Sequence, residues 1–249
     1  MIAWEESGAG RPLILVHGLT EDRRGWDPVV PLLEDGFRCI RLDLRGHGES
    51  HDAADYSALG MVEDVSTVVS QAGLDEAPVL VGHSLGGVVV TAYAAQARAA
   101  GVVNVDQPLA LAAFKGALTP LETMLRGDGF TEAIGVVFES LGVDALPADA
   151  RAWADACHAA ARQEVVLGVW GLVLETEAAQ LDALVESVLR DVTVPYLAIH
   201  GSDPGPGYAE WLTELAPSAT VEVWDGDGHY PHLVEPERFA QRVRAAFTR

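Results

Sequence analysis

The chain has 249 residues, of which 49% are hydrophobic, and a formal net charge of −21. This length and hydrophobic content suffice for one large domain, or for a core with a substantial insertion. The acidic balance, with Lys115 as the only lysine, disfavours nucleic acid and anionic membrane surfaces as partners, because negative charges repel. The same charge leads us to expect a neutral small molecule as the substrate. No apolar stretch is long enough to span a bilayer and residues 1–6 lack the features of a leader, so we expect a cytoplasmic protein.

The two cysteines, Cys39 in a predicted strand and Cys157 in a predicted helix, are far apart in sequence. They have neither the spacing of a metal site nor that of a redox pair, so we expect both to be buried free thiols. The sequence offers no motif for a metal ion or an organic cofactor.

Strand and helix patterns alternate in the first part of the chain. Residues 2–6 are predicted to form a short edge strand, and the apolar run 12–17 suits a central parallel strand. Asp27-Pro28 is typical of a helix start and Gly36 of a helix end, which predicts a short helix between them. A strand over 37–42, a polar loop over 43–50 and an amphipathic helix over 56–72 are predicted to follow.

The most informative stretch runs from Ala77 to Val90. An apolar run of strand length ends in Gly82-His83-Ser84-Leu85-Gly86 and leads directly into a segment compatible with a helix. This layout predicts a nucleophile elbow, a sharp strand-to-helix turn that exposes the serine hydroxyl, with glycines where strand and helix approach each other. The helix N-terminus favours negative charge that develops beside the serine.

The section after the elbow helix changes character. A short strand is predicted over 101–106, and residues 107–190 then show several helical segments and no good strand, including a capping box at Thr119-Pro120-Leu121-Glu122. We predict an α/β core formed by residues 1–106 and 191–249, with 107–190 inserted as a helical cap. Most apolar side chains of the cap are expected to form its own core, and a minority to line an apolar substrate pocket; we expect Trp170 of the cap and Trp26 of the core to bind substrate.

The chain then returns to alternating patterns. Strands are predicted over 194–200 and 219–224, helices over 208–215 and 236–247, and a loop over 225–229. Together with the first half, this alternation predicts an α/β fold with a mainly parallel central sheet and helices on both faces.

Four motifs resemble those of the serine α/β-hydrolases, a superfamily of esterase-like and lipase-like enzymes: His17-Gly18, the loop from Asp43 to Ser50, the Gly82–Gly86 elbow and Gly228-His229. The resemblance covers nearly the whole chain. It implies an oxyanion hole formed by the backbone N–H groups of Leu19 and Leu85. It also implies that Asp43, Arg45 and His47 serve loop structure and not catalysis.

A serine hydroxyl is a poor nucleophile at neutral pH, so it needs a base and a carboxylate that orients the base. Among eight histidines, His229 follows the last predicted strand and is preceded by glycines that let the loop reach the elbow. It also completes the chain order serine, acid, histidine. We therefore predict His229 as the base, with His232 as the alternative; we expect His232 to anchor the start of the last helix.

Two aspartates compete for the role of the acid. Asp203 follows the penultimate predicted strand, the usual location in similar enzymes, but only one residue separates it from Gly201 where the family pattern has two. Asp106 ends the strand directly after the elbow helix, from which some subfamilies take their acid. We narrowly prefer Asp106 and keep Asp203 open.

Serine at the elbow disfavours the aspartate-based chemistry of haloalkane dehalogenases and epoxide hydrolases. The resemblance implies a serine hydrolase that cleaves carboxylic esters of small to medium apolar substrates through an acyl-enzyme. Alternatives on the same fold are hydrolysis of a lactone or of a carbon–carbon bond, and perhydrolase activity. A ligand receptor with little turnover is the alternative from another class.

Overall fold

A computed structural model describes residues 1–247 of the protein. Seven strands form one sheet in the order β1-β3-β2-β4-β5-β6-β7. The strands are β1 (Trp4–Ser7), β2 (Arg11–Val16), β3 (Phe37–Leu42), β4 (Val79–His83), β5 (Gly101–Val105), β6 (Tyr196–His200) and β7 (Ala219–Val223). β1 pairs antiparallel with β3, and all other neighbours are parallel. The predicted mainly parallel sheet is confirmed.

Eleven α-helices surround the sheet within the described residues. They are α1 (Ala58–Gln71), α2 (Leu85–Gln96), α3 (Leu111–Leu118), α4 (Glu122–Arg126), α5 (Phe130–Glu139), α6 (Ala148–Ala159), α7 (Gln163–Glu175), α8 (Ala178–Asp191), α9 (Tyr208–Leu215), α10 (Pro231–Val234) and α11 (Pro236–Phe247). None of them is long and apolar enough to cross a membrane.

The sheet is buried on both faces, which explains why its central strands are continuous apolar runs. Along β2, Ile14 and Val16 belong to the core that includes side chains of α1, α2 and α8, whereas Leu13 and Leu15 belong to the core under α11. Alternate residues of a strand point to opposite faces. Each central strand therefore anchors two layers of helices and holds its carboxyl end fixed between them.

Two local predictions are wrong, the first because of a proline and the second because of a competing hydrogen bond. Residues 27–36 form no α-helix; short 3₁₀ turns lie at Arg23–Trp26 and Val30–Leu32 instead. Pro31 would interrupt a longer helix, since it lacks an N–H donor. The capping box at Thr119 does not form either, because the Thr119 hydroxyl donates to the Lys115 carbonyl at 2.8 Å and α4 begins only at Glu122.

The inserted segment between β5 and β6 contains α3 to α8 and no strand among the described residues. In its last helix, α8, Leu181, Val185 and Leu189 are buried in a core that contains side chains of α2 and also of α3, α5 and α7. The division into a core of residues 1–106 and 191–249 and a cap of residues 107–190 stays a prediction.

Both cysteines are buried and free, as expected. Among the described residues, no group of three or more histidine, cysteine, aspartate or glutamate side chains is arranged to hold a metal ion.

Candidate active site

Ser84 lies between the last residue of β4 and the first residue of α2. Its backbone has φ 49° and ψ −120°, a conformation that costs a non-glycine residue about 1–3 kcal/mol and persists only where the surroundings impose it. Here the Ser84 N–H donates to the Val105 carbonyl at 2.9 Å, and the Ser84 carbonyl accepts from the Gly87 N–H at 2.7 Å. The predicted sharp turn between strand and helix is present at this serine.

The two glycines of the elbow are required by close backbone approach. A Cβ atom on Gly82 would clash with the carbonyl group of Gly86, and one on Gly86 would clash with the carbonyl group of Val16. Glycine at both positions lets β4, α2 and β2 meet beside the serine.

His229 is held on a loop after β7, and its ring meets Asp106 at the end of β5. The Nδ1 atom of His229 donates to Oδ2 of Asp106 at 2.7 Å, and the other carboxylate oxygen accepts the Gly201 N–H at 2.9 Å. Burial by itself would raise the pKa of Asp106, but the hydrogen bond and the electrostatic interaction with His229, together with the Gly201 N–H, hold that pKa below its usual value. Asp106 is thus an ionised partner that fixes the orientation of the imidazole.

Asp203 lies elsewhere. It is exposed, and its Oδ1 atom accepts the Gly205 N–H at 2.9 Å within its own loop. After β6 the chain turns at Gly201, where a Cβ atom would clash with the Gly228 carbonyl. Gly228 belongs to the loop 224–230 that carries His229, called the histidine loop below. The structure therefore brings Asp106, and not Asp203, to His229.

The alternative base His232 lies in α10 and is buried, with its ring 4.6 Å from the ring of Trp26. Burial lowers its pKa well below the usual value. His232 does not line the cavity that Ser84 and His229 share. It packs beneath the histidine loop, in keeping with a role at the start of the last helices.

Ser84, Asp106 and His229 all line one cavity of about 330 Å³ between the carboxyl ends of the strands and the inserted helices. Most of its wall is apolar and comes from the inserted segment and the first turn of α2: Val88, Leu111, Phe114, Val137, Phe138, Leu141, Val169, Trp170, Leu172 and Val173. Among the described residues that line it, none is lysine or arginine. The cavity is of the size and character that hold small apolar ligands.

The two tryptophans expected at the substrate differ in position. Trp170 lines the cavity and makes an edge contact with Phe114, with 5.6 Å between ring centres. The expectation for Trp26 is wrong, because it is 1% exposed and packs with Phe239 in the core on the α11 side of the sheet. Trp26 therefore belongs to the core and not to the wall of the cavity.

Leu19 and Leu85, whose N–H groups were expected to form an oxyanion hole, both line the cavity next to Ser84. Within residues 1–247, neither N–H donates to another protein group. Leu85 is also the first residue of α2, so its N–H lies at the positive end of the helix dipole.

Sequence reasoning missed a polar group beneath the site. His83, the residue before the serine, is 0% exposed and its Nδ1 atom lies 3.0 Å from Oε2 of Glu21, which is 3% exposed. A second pair, His158 and Tyr230, lines the cavity with 3.1 Å between Nε2 and the hydroxyl oxygen. The sequence feature that could have indicated the His83–Glu21 contact is a histidine at the end of the otherwise apolar strand β4, next to the serine.

Comparison with known proteins agrees with this geometry. Residues 13–242 match the model of the alpha/beta hydrolase family. The chain is 26% identical to a pimeloyl-[acyl-carrier protein] methyl ester esterase of Photobacterium profundum, over 98% of this chain and 97% of that protein. It is 30% identical to a non-heme haloperoxidase of Rhodococcus erythropolis, over 92% and 89% of the two chains.

Among solved structures, a thermophilic esterase from Thermogutta terrifontis is similar, with a TM-score of 0.73, 25% identity and coverage of 98% of this chain and 92% of that one. The resemblance inferred from the four sequence motifs is thereby confirmed at the level of the family. This chain belongs to the alpha/beta hydrolase family.

Proposed function

We propose that the protein is a serine hydrolase that cleaves carboxylic esters of small to medium apolar substrates. One observation carries the proposal: Ser84, on a strained strand-to-helix turn, lines the same apolar cavity as a histidine that is hydrogen-bonded to a buried carboxylate. An activated hydroxyl, a base and an orienting acid are what acyl transfer to serine requires. The family membership and the esterases among the relatives support the same class of reaction.

In the proposed reaction, the Ser84 hydroxyl attacks the ester carbonyl while Nε2 of His229 takes its proton. The N–H groups of Leu19 and Leu85 stabilise the oxyanion, and His229 returns the proton to the departing alcohol. Water, deprotonated by His229, then attacks the acyl-enzyme. The bond between the acyl group and Ser84 breaks, the carboxylic acid leaves, and His229 returns the proton to the Ser84 oxygen. Asp106 keeps the imidazole in the tautomer with Nδ1 protonated and stabilises its charged form.

The test is covalent labelling followed by kinetics. A serine-directed phosphonate is expected to label Ser84 alone, and Ser84→Ala is expected to lower turnover of a chromogenic ester by several orders of magnitude. A burst of product in the first turnover would separate an enzyme from a ligand receptor. Labelling at another residue, or near-normal turnover in Ser84→Ala, would contradict the proposal.

Perhydrolase activity is a second candidate, favoured by the 30% identity to a non-heme haloperoxidase. In that reaction hydrogen peroxide would replace water at the acyl-enzyme, so that a peracid leaves and the serine hydroxyl is restored. The same residues would serve both reactions. Peracid formation from an ester and hydrogen peroxide, absent in Ser84→Ala, would support it.

A further inference from the structure

A buried ion pair, His83 with Glu21, lies directly under the candidate site. Nδ1 of His83 donates to Oε2 of Glu21 at 3.0 Å. The two side chains are 0% and 3% exposed, and they come from positions 62 residues apart in the chain. Neither residue has a part in the reaction proposed above.

Glu21 also fixes the loop after β2. The same oxygen that accepts from His83 accepts the backbone N–H of Gly18 at 2.7 Å. Gly18 immediately precedes Leu19, whose own N–H is proposed to bind the oxyanion. The Glu21 carboxylate packs so closely on Gly18 that a Cβ atom there would lie 2.8 Å from Oε1.

The other nitrogen of His83 holds the histidine loop. Nε2 of His83 lies 2.8 Å from the backbone carbonyl oxygen of His229. A carbonyl oxygen and an ionised carboxylate only accept hydrogen bonds, so both nitrogens of the ring must donate. His83 is therefore an imidazolium in this arrangement, and its charge is balanced by Glu21.

We propose that the His83–Glu21 ion pair is a positioning device that holds three loops of the active site in register: the loop carrying Leu19, the elbow carrying Ser84, and the loop carrying His229. This inference rests on the proposed function, because it concerns the alignment of the groups in that reaction. Glu21 holds Gly18, which is next to Leu19, and His83 is itself next to Ser84 and holds the backbone of His229. A shift of the ion pair would therefore move all three proposed catalytic groups.

A stabilising role alone does not explain the pair. Burial of two charges carries a large desolvation cost, and replacing a buried ion pair by well-packed apolar residues often leaves a protein as stable or makes it more stable. Burial disfavours both charges here, but the hydrogen bond and the attraction between the two groups stabilise the charged forms. The pKa of His83 is therefore raised and that of Glu21 is lowered.

Other titratable groups surround the pair on every side. The rings of His229, Tyr230 and His232 lie with centres 4.6, 4.8 and 4.7 Å from that of His83, and Asp106 adds negative charge from the end of β5. His17 faces Glu21 from the end of β2. Within this set Glu21 is the carboxylate in contact with the ring of His83, which is why its charge decides whether His83 stays protonated.

The kinetic test uses Glu21→Gln, which keeps the size of the side chain and an acceptor for Gly18 but removes the charge. We expect kcat to fall about 10²-fold with KM nearly unchanged, since misplacement of reacting groups by about 1 Å has effects of that size. His83→Gln is expected to act alike. The double variant should cost no more than the worse single variant, because both changes remove one device.

The matched control is Asp64→Asn. Asp64 is 2% exposed and forms an ion pair with Arg45 at 2.8 Å, away from the cavity lining. Its loss is expected to lower the melting temperature without lowering kcat. If Asp64→Asn lowered kcat as much as Glu21→Gln did, the loss would follow from reduced stability alone. That result would overturn the proposal.

A measurement on the unmodified protein tests the charge directly. In ¹⁵N NMR of the full chain at about pH 7.5, above the usual pKa of histidine, we expect one imidazole with both nitrogens protonated. The signal should vanish in Glu21→Gln and persist in Asp64→Asn. A wild-type spectrum with no such ring would overturn the proposal.

Different results would contradict the proposed function and the positioning role. If a phosphonate does not label Ser84 in the wild-type protein, the proposed function falls, and the positioning role falls with it. If Ser84 is labelled and the ester is turned over, but Glu21→Gln keeps its kcat within about twofold, only the positioning role is overturned.

Discussion

Asp106 and His229 stand 123 positions apart in the chain, yet Oδ2 of Asp106 accepts a hydrogen bond from Nδ1 of His229 at 2.7 Å. β5 and β6 are parallel neighbours, so Asp106 and Gly201 leave the sheet at the same edge, and the loop that carries His229 comes to this edge after β7. The Asp106 N–H donates to the Ile199 carbonyl at 2.7 Å, which fastens this turn to β6. The carboxylate is thus held by the sheet, and the histidine comes to it on a loop.

The first prediction follows from this contact. Asp106→Asn should lower turnover by about 10⁴-fold, because the imidazole loses the partner that selects its tautomer and stabilises its charged form. Turnover of a chromogenic ester is the measurement.

Asp203→Asn is the matched control, since that side chain is exposed and, within residues 1–247, its hydrogen bond is to the Gly205 N–H of its own loop. It should leave turnover nearly unchanged. Both variants must still unfold cooperatively. A crippled Asp203→Asn with an active Asp106→Asn would reverse the assignment.

The depressed pKa of Asp106 also predicts a pH dependence of stability. A carboxyl whose pKa is lower in the folded than in the unfolded state stabilises the fold above its unfolded pKa, and this contribution is lost as pH falls through the folded pKa. The contribution should therefore be constant above about pH 5 and decline below about pH 4.

Chemical unfolding at a series of pH values, for wild type and Asp106→Asn, measures this. The difference in unfolding free energy between them should shrink as the pH is lowered through this range. A difference that grew toward acid pH would mean that the pKa is raised and not lowered.

A third prediction concerns the strained backbone of Ser84, which has φ 49°. Glycine adopts positive φ without the cost that a Cβ atom imposes. Ser84→Gly should therefore be more stable than Ser84→Ala by up to about 1 kcal/mol, a difference of about 2–4 °C in melting temperature for a chain of this size. Both should be inactive. Equal melting temperatures would show that the turn carries no strain at this residue.

The two tryptophans give a fourth prediction. Trp170→Ala should raise KM more for a bulky ester than for an acetate, because it removes part of the cavity wall. Trp26→Phe should lower stability through lost core packing and leave the ratio of the two KM values unchanged, because Trp26 is 1% exposed and lies outside the cavity. A change of that ratio in Trp26→Phe alone would contradict these positions.

Local patterns predicted the sheet, most helices and the elbow because each depends on neighbours in sequence: apolar runs for β2 and β4, and glycines at 82 and 86. The choice between Asp106 and Asp203 needed the register of β5 against β6, which no local pattern specifies. The His83–Glu21 contact spans 62 residues and joins two side chains whose sequence surroundings suggest a loop and an apolar strand. Trp26 was misplaced because hydrophobicity does not say which face of the sheet a side chain covers.

The last prediction concerns the charge of the substrate. Among the described residues that line the cavity, the carboxylates are those of Glu21 and Asp106, and none is lysine or arginine. The charge of Glu21 is balanced by His83, so these described lining residues offer an anionic substrate no lysine or arginine to pair with.

The whole chain has a net charge of −21, which repels anions before they reach the cavity. Of two esters matched in size, the neutral one should have the higher kcat/KM, and the ratio should shrink as salt screens the long-range repulsion. The preference for the neutral ester that remains at high salt measures the cost of placing a negative charge in the apolar cavity itself. A higher kcat/KM for the anionic ester at low salt would mean that a cationic group reaches the substrate during binding, and the proposed class of neutral, apolar esters would have to be abandoned.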